Sequence, residues 1–511
     1  MLPAEERLPG ARRYISRGQY FVVHAPRQTG KSTSLGELAQ QLTAEGEYAA
    51  VRFSCEAAGR VGDDYGRAER LLLDQIRIAA HGAGLAPELL PPDPWPEAQD
   101  GNQLQEGLAA WVARCPRPLV LFFDEIDALQ GTSLLLVLSQ LRAGYTSEQD
   151  SFVHSVVLCG LRDVRDYKAA SGGDPTRLAS ASPFNIAVES MRMGDFTQSE
   201  VAELYTQHTG ETGQEFTPEA VERAFCYTQG QPWLVNALAA EIIDRMQIEP
   251  PAPITVDHMD TAKERLILAR ATHLDSLVSK LYEPRVKRVI EPLIAGIQPD
   301  LDPTFDDDVA YVRDLGLIAQ NTPIRVANPI YQEVIVRVLG GAVEELIVAK
   351  PSSFRYPDGR LDFPRLLREF VEFWKENGEF MTGKADYREA APQLIMMAYL
   401  HRVVNGLGHI SREYGVGRGR IDLLVRQPYT AASGATEWQR EALELKVWRA
   451  GKADPLEQGL GQLDAYLDRL SLETGVLVIF DARASAASIT ERTAFSQAQT
   501  LSGRTVTVLR A

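Results

Sequence analysis

Near the amino terminus, the segment Ala25, Pro26, Arg27, Gln28, Thr29, Gly30, Lys31, Ser32, Thr33 sets a lysine and two hydroxyls directly behind a glycine. A glycine-containing loop that opens a helix presents backbone N–H groups and the positive end of the helix dipole to an anion. The Lys–Ser pair makes phosphate the anion that fits. Lys31 would reach the β- and γ-phosphates of ATP, and the Ser32 hydroxyl would coordinate Mg2+. Arg27, Gln28, Thr29, Gly30 and Thr33 complete the expected cradle, and the small Ala25 stands where the usual first glycine would be. Farther along, Asp124, Glu125, Ile126 and Asp127 bring carboxylates suited to the same chemistry. Asp124 is expected to hold the metal and Glu125 to act as the base that polarises an attacking water. Asp127 would support that shell or cap a helix, and Arg162 is the candidate sensor of the γ-phosphate.

A second chemical set lies near the carboxyl terminus. Asp422 is followed at a distance by Glu444 and Lys446, which alternate on one face of an expected strand. Two carboxylates converging on one point can bind a divalent metal, and a nearby lysine can orient or deprotonate water. That is the chemistry of metal-assisted phosphodiester hydrolysis. Gln462 and Tyr466, four residues apart on an expected helix, share a face. Arg412, Arg418 and Arg420 flank the set, where they would contact phosphates or simply line a solvated strand edge.

The elements that must position these residues follow from hydrophobic pattern. Residues 20–24 form a short apolar run ahead of the glycine loop, and 35–42 have helical periodicity behind it, giving strand, loop and helix. Residues 119–123 form a second apolar strand, ending at Asp124, and 155–158 a third, leading toward Arg162. Thr197 with Glu200 is a capping box, and Thr217 before Pro218 marks another helix start. Within 276–348, helices are expected over 285–293 and 306–315, followed by short strands over 316–320 and 324–327, as in a winged helix. Residues 350–364 are rich in Pro, Ser and Gly and are expected to be a linker. Helices are then expected over 366–376 and 387–405, the second with Glu389 near its start, and a closing strand over 476–480.

Taken together, HAPRQTGKST, LFFDEID, LCGLRDVRDY, SPFNI and GQPWLVNAL resemble the AAA-like ATPases of the STAND type found in prokaryotes, over roughly the first two-thirds of the chain. The resemblance implies an α/β P-loop NTPase core over 1–195 and a helical lid over 196–275, with Gly230, Gln231 and Pro232 over the nucleotide. Relatives usually carry a nucleotide-contacting segment before the equivalent of Leu2, so an incomplete adenine pocket or a misassigned start is expected. The winged-helix module over 276–348 would couple nucleotide state to an effector. That role is favoured over DNA reading because Asp306, Asp307 and Asp308 open its second helix and would repel phosphates.

Beyond the linker over 349–364, the order Glu389, Asp422, Glu444-x-Lys446 and Gln462-x-x-x-Tyr466 resembles the PD-(D/E)XK nuclease superfamily, especially its RecB-like branch. A C-terminal α/β restriction-endonuclease-like domain over 365–511 is therefore expected. The resemblance implies that Asp422 and Glu444 are metal ligands and that Lys446 is the catalytic lysine. Glu389 would be the acid of the first core helix, and Gln462 and Tyr466 the accessory motif. Ile421 stands where the family name has proline.

Bulk properties bound these expectations. At roughly 150 residues per domain, 511 residues suggest about three domains. No apolar run approaches the roughly 20 residues needed to cross a bilayer. Cys55, Cys115, Cys159 and Cys226 are too dispersed for a zinc knuckle or a disulfide framework, so a reducing cytoplasm is expected. The eight histidines form no metal-ligand spacing. A net charge of −16 disfavours non-specific coating of nucleic acid and leaves a local DNA groove open. The expected whole is an ATP- and Mg2+-dependent ATPase controlling a metal-dependent DNA endonuclease in prokaryotic defence or mobile-element biology, with homo-oligomerisation left open. The alternatives are a signalling switch of the STAND type, or a regulatory ATPase whose nuclease-like domain only binds nucleic acid or a partner.

Overall fold

Runs such as 20–24 and 119–123 are apolar throughout, with no polar alternate face, which marks strands covered on both sides. The computed structural model builds them into such a sheet. It describes residues 2–146, 151–161, 189–269, 272–294, 299, 301–344, 354–384, 390–404, 409–415, 420–483 and 485–511. The chain divides into two compact units, Met1–Leu266 with Asp314–Gly316, and Ile267–Arg313 with Leu317–Ala511.

In the first unit, β1 (Phe21–His24), α1 (Lys31–Ala44), β2 (Ala49–Ser54), α2 (Tyr65–Gly82), α3 (Gln103–Val112), β3 (Leu119–Asp124), α4 (Gly131–Tyr145), β4 (Ser155–Gly160) and β5 (Glu189–Arg192) follow one another. The strands form one five-stranded sheet in the order β2-β3-β4-β1-β5. Every pairing is parallel. Side chains alternate across it. Val22, Val51, Leu121 and Leu158 pack with Leu72, Ile76, Leu108, Trp111 and Leu138 from α2, α3 and α4. Phe21, Val23, Val120, Phe122 and Val157 pack on the opposite face with Leu35, Leu38 and Leu42 of α1, and with Ala4, Leu8 and Ile15 near the amino terminus. A parallel sheet clad on both faces fits a P-loop NTPase fold.

Three further helices follow: α5 (Gln198–Thr212), α6 (Pro218–Thr228) and α7 (Pro232–Ala240). The capping box at Thr197 and Glu200 is formed, and Thr217 caps α6 ahead of Pro218. Gly230 joins α6 to α7 at φ +79°. A Cβ there would collide with the Phe196 carbonyl, and the Phe196 N–H donates to the Gly230 carbonyl at 2.8 Å. Both conformation and space therefore demand glycine at this position.

The second unit opens with a helical module containing α8 (Pro284–Ile294), α9 (Asp307–Asp314) and α10 (Pro329–Glu344). Between α9 and α10, a small hairpin is held by an antiparallel bridge from Ile318 to Val326. The acidic start of α9 is not bare: Arg288 pairs with Asp306 and Asp308 at 2.8 Å each, and Arg285 with Asp308 at 2.9 Å. The segment 350–364, expected from composition to be a linker, forms a tight turn over its described part, 354–364. Phe354 is fully buried, Arg355 bridges Leu361, and the Thr430 N–H donates to the Asp358 carbonyl.

The remainder is built from α11 (Phe363–Lys384), α12 (Ala391–Val404), β6 (His409–Gly415), β7 (Arg420–Thr430), β8 (Thr436–Trp448), α13 (Leu456–Leu470), β9 (Val476–Asp481), β10 (Ala494–Gln499) and β11 (Thr505–Arg510). Its sheet runs β10-β11-β9-β8-β7-β6. The pairings β6–β7 and β7–β8 are antiparallel, whereas β8–β9 is parallel, with α13 between those strands in the chain. On one face, Leu463, Tyr466 and Leu467 of α13 pack with Leu424, Ala442, Leu477 and Ile479. On the other, Trp374 of α11 meets Phe480, and Phe370 meets Tyr399 of α12 edge to face. Most of α12 is buried, and α10 packs against it, Gly340 leaving room for Ala398. Among the described residues, no helix is long and apolar enough to cross a membrane.

Candidate functional site

Because the first sheet is parallel, its functional loops emerge at one edge, the carboxyl ends of the strands. There a cavity of 670 Å³ is lined by Arg27, Gln28, Gly30, Lys31, Ser32 and Thr33 from the glycine loop. Asp124 at the end of β3 with Glu125 and Asp127 beyond it, and Gly160 at the end of β4 with Leu161, close it from the other side. Ala25 is fully buried in the core beneath α1, so the methyl group in place of the usual first glycine fills packing space. Gln28 and Gly30 both take positive φ, +59° and +87°. A Cβ on Gly30 would meet nothing within 4 Å, so its glycine serves the left-handed backbone alone. Thr29 is buried and its hydroxyl donates to the Pro26 carbonyl at 3.0 Å, turning inward rather than toward the cavity.

Lys31 Nζ donates to the Ala25 and Pro26 carbonyls at 2.7 and 2.8 Å. Burial holds its pKa below the ordinary lysine value, opposed by Cys159, Asp127 and Asp124. An anionic phosphate would stabilise the charged form that burial disfavours. Asp124 is almost wholly buried. One of its oxygens accepts the Glu125 N–H at 3.0 Å, and the other meets Arg52 Nη1 at 2.6 Å. Glu125 is exposed, sits at φ +56°, and its carboxylate accepts the Ser54 hydroxyl. Burial pushes the Asp127 carboxyl up. It also raises the Cys55 and Cys159 thiols well above their ordinary range.

The donor set suits Mg2+. The cavity offers the Ser32 hydroxyl and one buried carboxylate, with no histidine or cysteine in its lining. Mg2+ takes one or two carboxylates and fills the rest of its octahedron from water and phosphates. No group of three or more His, Cys, Asp or Glu gathers among the described residues. Gln231, at the turn before α7, caps that helix by accepting the Leu234 N–H at 2.6 Å. It also donates to the Gln28 carbonyl at 3.4 Å, so the turn before α7 touches the glycine loop directly.

Arg162 lies outside the described residues. Sequence reasoning missed Arg52 and Ser54. Their signal was faint: Arg52 is the one charged residue in the β2 sequence AAVRFS, and its meaning depends on the register that sets Ser54 against Asp124.

In the second unit, Glu444 and Lys446 occupy the buried half of β8 and alternate on the face that α13 covers. Glu444 is fully buried, Lys446 is 5% exposed, and Nζ lies 2.7 Å from Glu444 Oε1. Asp422 on β7 is the register partner of Glu444, though its side chain lies outside the described residues. Gln462 and Tyr466 are both on α13, Gln462 half-buried and Tyr466 1% exposed within the apolar layer that also contains Ala442. Glu389 and Arg418 lie outside the described residues, and Arg412 and Arg420 are described only as strand positions.

No family model and no curated protein sequence matches this chain. Solved structures do. The Walker-type ATPase PABY2304 of Pyrococcus abyssi overlaps with 66% of this chain and 96% of its own, at 14% identity and TM-score 0.47. The RuvB Holliday junction branch migration motor of Thermotoga maritima covers 65% and 93%, at 15% identity and TM-score 0.35. Cdc6p of Pyrobaculum aerophilum covers 65% and 94%, at 12% identity and TM-score 0.35. Overlaps this loose leave the assignment of the site to its own geometry.

Proposed function

We propose that the chain binds and hydrolyses ATP at the first site and that this controls a metal-dependent DNA endonuclease at the second. The observation that carries the ATPase half is the cavity where Lys31, Ser32, Asp124 and Glu125 meet at the carboxyl edge of a parallel sheet. Lys31 would exchange its two loop carbonyls for phosphate oxygens, and Ser32 and Asp124 would hold Mg2+, which neutralises charge building on the phosphates. Glu125, exposed and already accepting a hydroxyl proton, is placed to accept a hydrogen bond from water. Gln231 would report the state of the loop to the lid. Phosphate release by the wild type against Lys31→Ala tests this half: equal release would remove it.

The nuclease half is supported by Glu444 and Lys446 in ion-pair contact on one strand, with Asp422 their neighbour across the β7–β8 ladder. The strand pattern around them, two antiparallel pairings and then a parallel crossover through α13, also agrees with the expected restriction-endonuclease-like domain. Asp422 and Glu444 would hold a divalent metal, which lowers the pKa of bound water and stabilises charge on the phosphodiester. Lys446 would orient the water. The helical module, whose α10 packs on α12, takes the coupling role of a winged helix. DNA is the proposed macromolecular partner.

Burial of Glu444 and Lys446 favours a second reading, in which the pair is structural and the domain binds nucleic acid or a partner without cutting. Cleavage of supercoiled plasmid in Mg2+ by the wild type and by Lys446→Ala separates the two. Gel filtration with and without ATP tests the oligomerising switch, for which a shift to larger species on ATP addition is the expected sign.

A further inference from the structure

Asp124 is the buried carboxylate expected to meet Mg2+, yet both of its oxygens are engaged. Oδ1 accepts the Glu125 N–H at 3.0 Å, and Oδ2 is 2.6 Å from Arg52 Nη1. Arg52 arrives from β2, two residues before Ser54, which is in register with Asp124. Its side chain is 36% exposed against 3% for Asp124, so the guanidinium spans from solvent to the buried carboxylate. A buried carboxylate needs a compensating charge. A cation that is half in water can leave at lower cost than one fully enclosed.

On the ATP-site reading above, we propose that Arg52 is a positioning residue that holds the Asp124 carboxylate as a placeholder cation and sets the metal threshold of the site. A divalent ion reaching Asp124 must displace the Arg52 guanidinium. The triphosphate supplies the extra negative charge that makes the exchange favourable, so metal and nucleotide load together. Glu56, Glu125 and Asp127 line the same cavity as Asp124, so the edge that the cation meets is acidic, with Lys31 and Arg27 as the basic side chains among its described lining.

The test is Mn2+ binding followed by electron paramagnetic resonance on the full chain without nucleotide. Arg52→Gln should bind Mn2+ about tenfold more tightly than the wild type, opposite in sign to the roughly 10–100-fold loss that follows when a partner supporting a metal ligand is removed. The gain should vanish in Arg52→Gln combined with Asp124→Asn, whose residual Mn2+ binding gives the background from other metal sites, Asp422 and Glu444 included. Arg52→Lys, which keeps a cation, should stay near the wild-type value. Arg52→Met serves in place of Arg52→Gln if the latter fails to fold, because it keeps most of the packing stem. A merely structural Arg52 would give unchanged or weaker Mn2+ binding in both variants, and that result overturns the proposal. Binding of a fluorescent ATP analogue to the wild type is read in parallel. Its failure would count against the ATP site itself, whereas a Mn2+ gain at Asp124 would still uphold the role of Arg52.

Discussion

Lys446 Nζ lies 2.7 Å from Glu444 Oε1 on the same strand, with both side chains enclosed by the protein. A paired buried charge is weak evidence for stability, but breaking one half is strongly unfavourable. Lys446→Ala should therefore lower stability by roughly 3–5 kcal/mol, read from denaturant melts. The double change Glu444→Gln with Lys446→Met should recover most of that loss. A single mutant as stable as the wild type would mean that other groups carry the charge of Glu444.

Glu125 is exposed while its neighbour Asp124 is buried, an arrangement that would suit the proposed base and the proposed metal holder respectively. Glu125→Gln keeps shape and removes basicity. It should leave the affinity for a fluorescent ATP analogue within about twofold and lower phosphate release by roughly 10²–10⁴-fold. Loss of binding with unchanged turnover per bound nucleotide would assign Glu125 to holding ATP instead.

Gly230 fixes the turn between α6 and α7, beside the Gln231 that reaches the glycine loop. Gly230→Ala adds a left-handed penalty of about 1–2 kcal/mol and a collision with the Phe196 carbonyl. The melting temperature should fall by at least a few degrees, and ATP affinity should weaken with it. An alanine variant that melts and binds like the wild type would show that the turn between α6 and α7 is free to rearrange.

Asp464 on α13 ties down the β10–β11 turn. It accepts hydrogen bonds from the Ser502 hydroxyl and N–H, the Thr500 hydroxyl and the Arg504 guanidinium. The Ser502 hydrogen bond leads the causes that hold its pKa down at about 2. A depressed folded value means stability present above the unfolded value near 3.8 and lost as pH falls through the folded one. The stability advantage of the wild type over Asp464→Asn should be constant above about pH 5 and shrink between pH 4 and 2. An advantage that does not change with pH would show that the carboxylate charge is not what ties down the turn.

Much of this was legible in the sequence, for identifiable reasons. The strands β1, β3, β4 and β9 are apolar on both faces, so composition alone marks them, and caps at Thr197 and Thr217 carry their signal locally. The glycine loop and its acidic partners declared themselves because each is contiguous. Arg52 and Ser54 did not, since their meaning comes from a parallel register between β2 and β3 that no local pattern encodes. Residues 350–364 read as linker because Pro, Ser and Gly serve tight turns and loose chain equally. What distinguishes them is Phe354, buried against the rest of the unit. The burial of Glu444 and Lys446 was likewise invisible, because a carboxylate and an amine look alike on solvated and enclosed strands.

Cleavage of supercoiled plasmid by the full chain in Mg2+, run with and without ATP for the wild type, Lys31→Ala and Lys446→Ala, tests ATP control of the proposed nuclease most directly. ATP should change the cutting rate of the wild type, Lys31→Ala should lose that response, and Lys446→Ala should lose cutting altogether. Equal cutting by wild type and Lys446→Ala, or cutting by the wild type that ignores ATP, would contradict it.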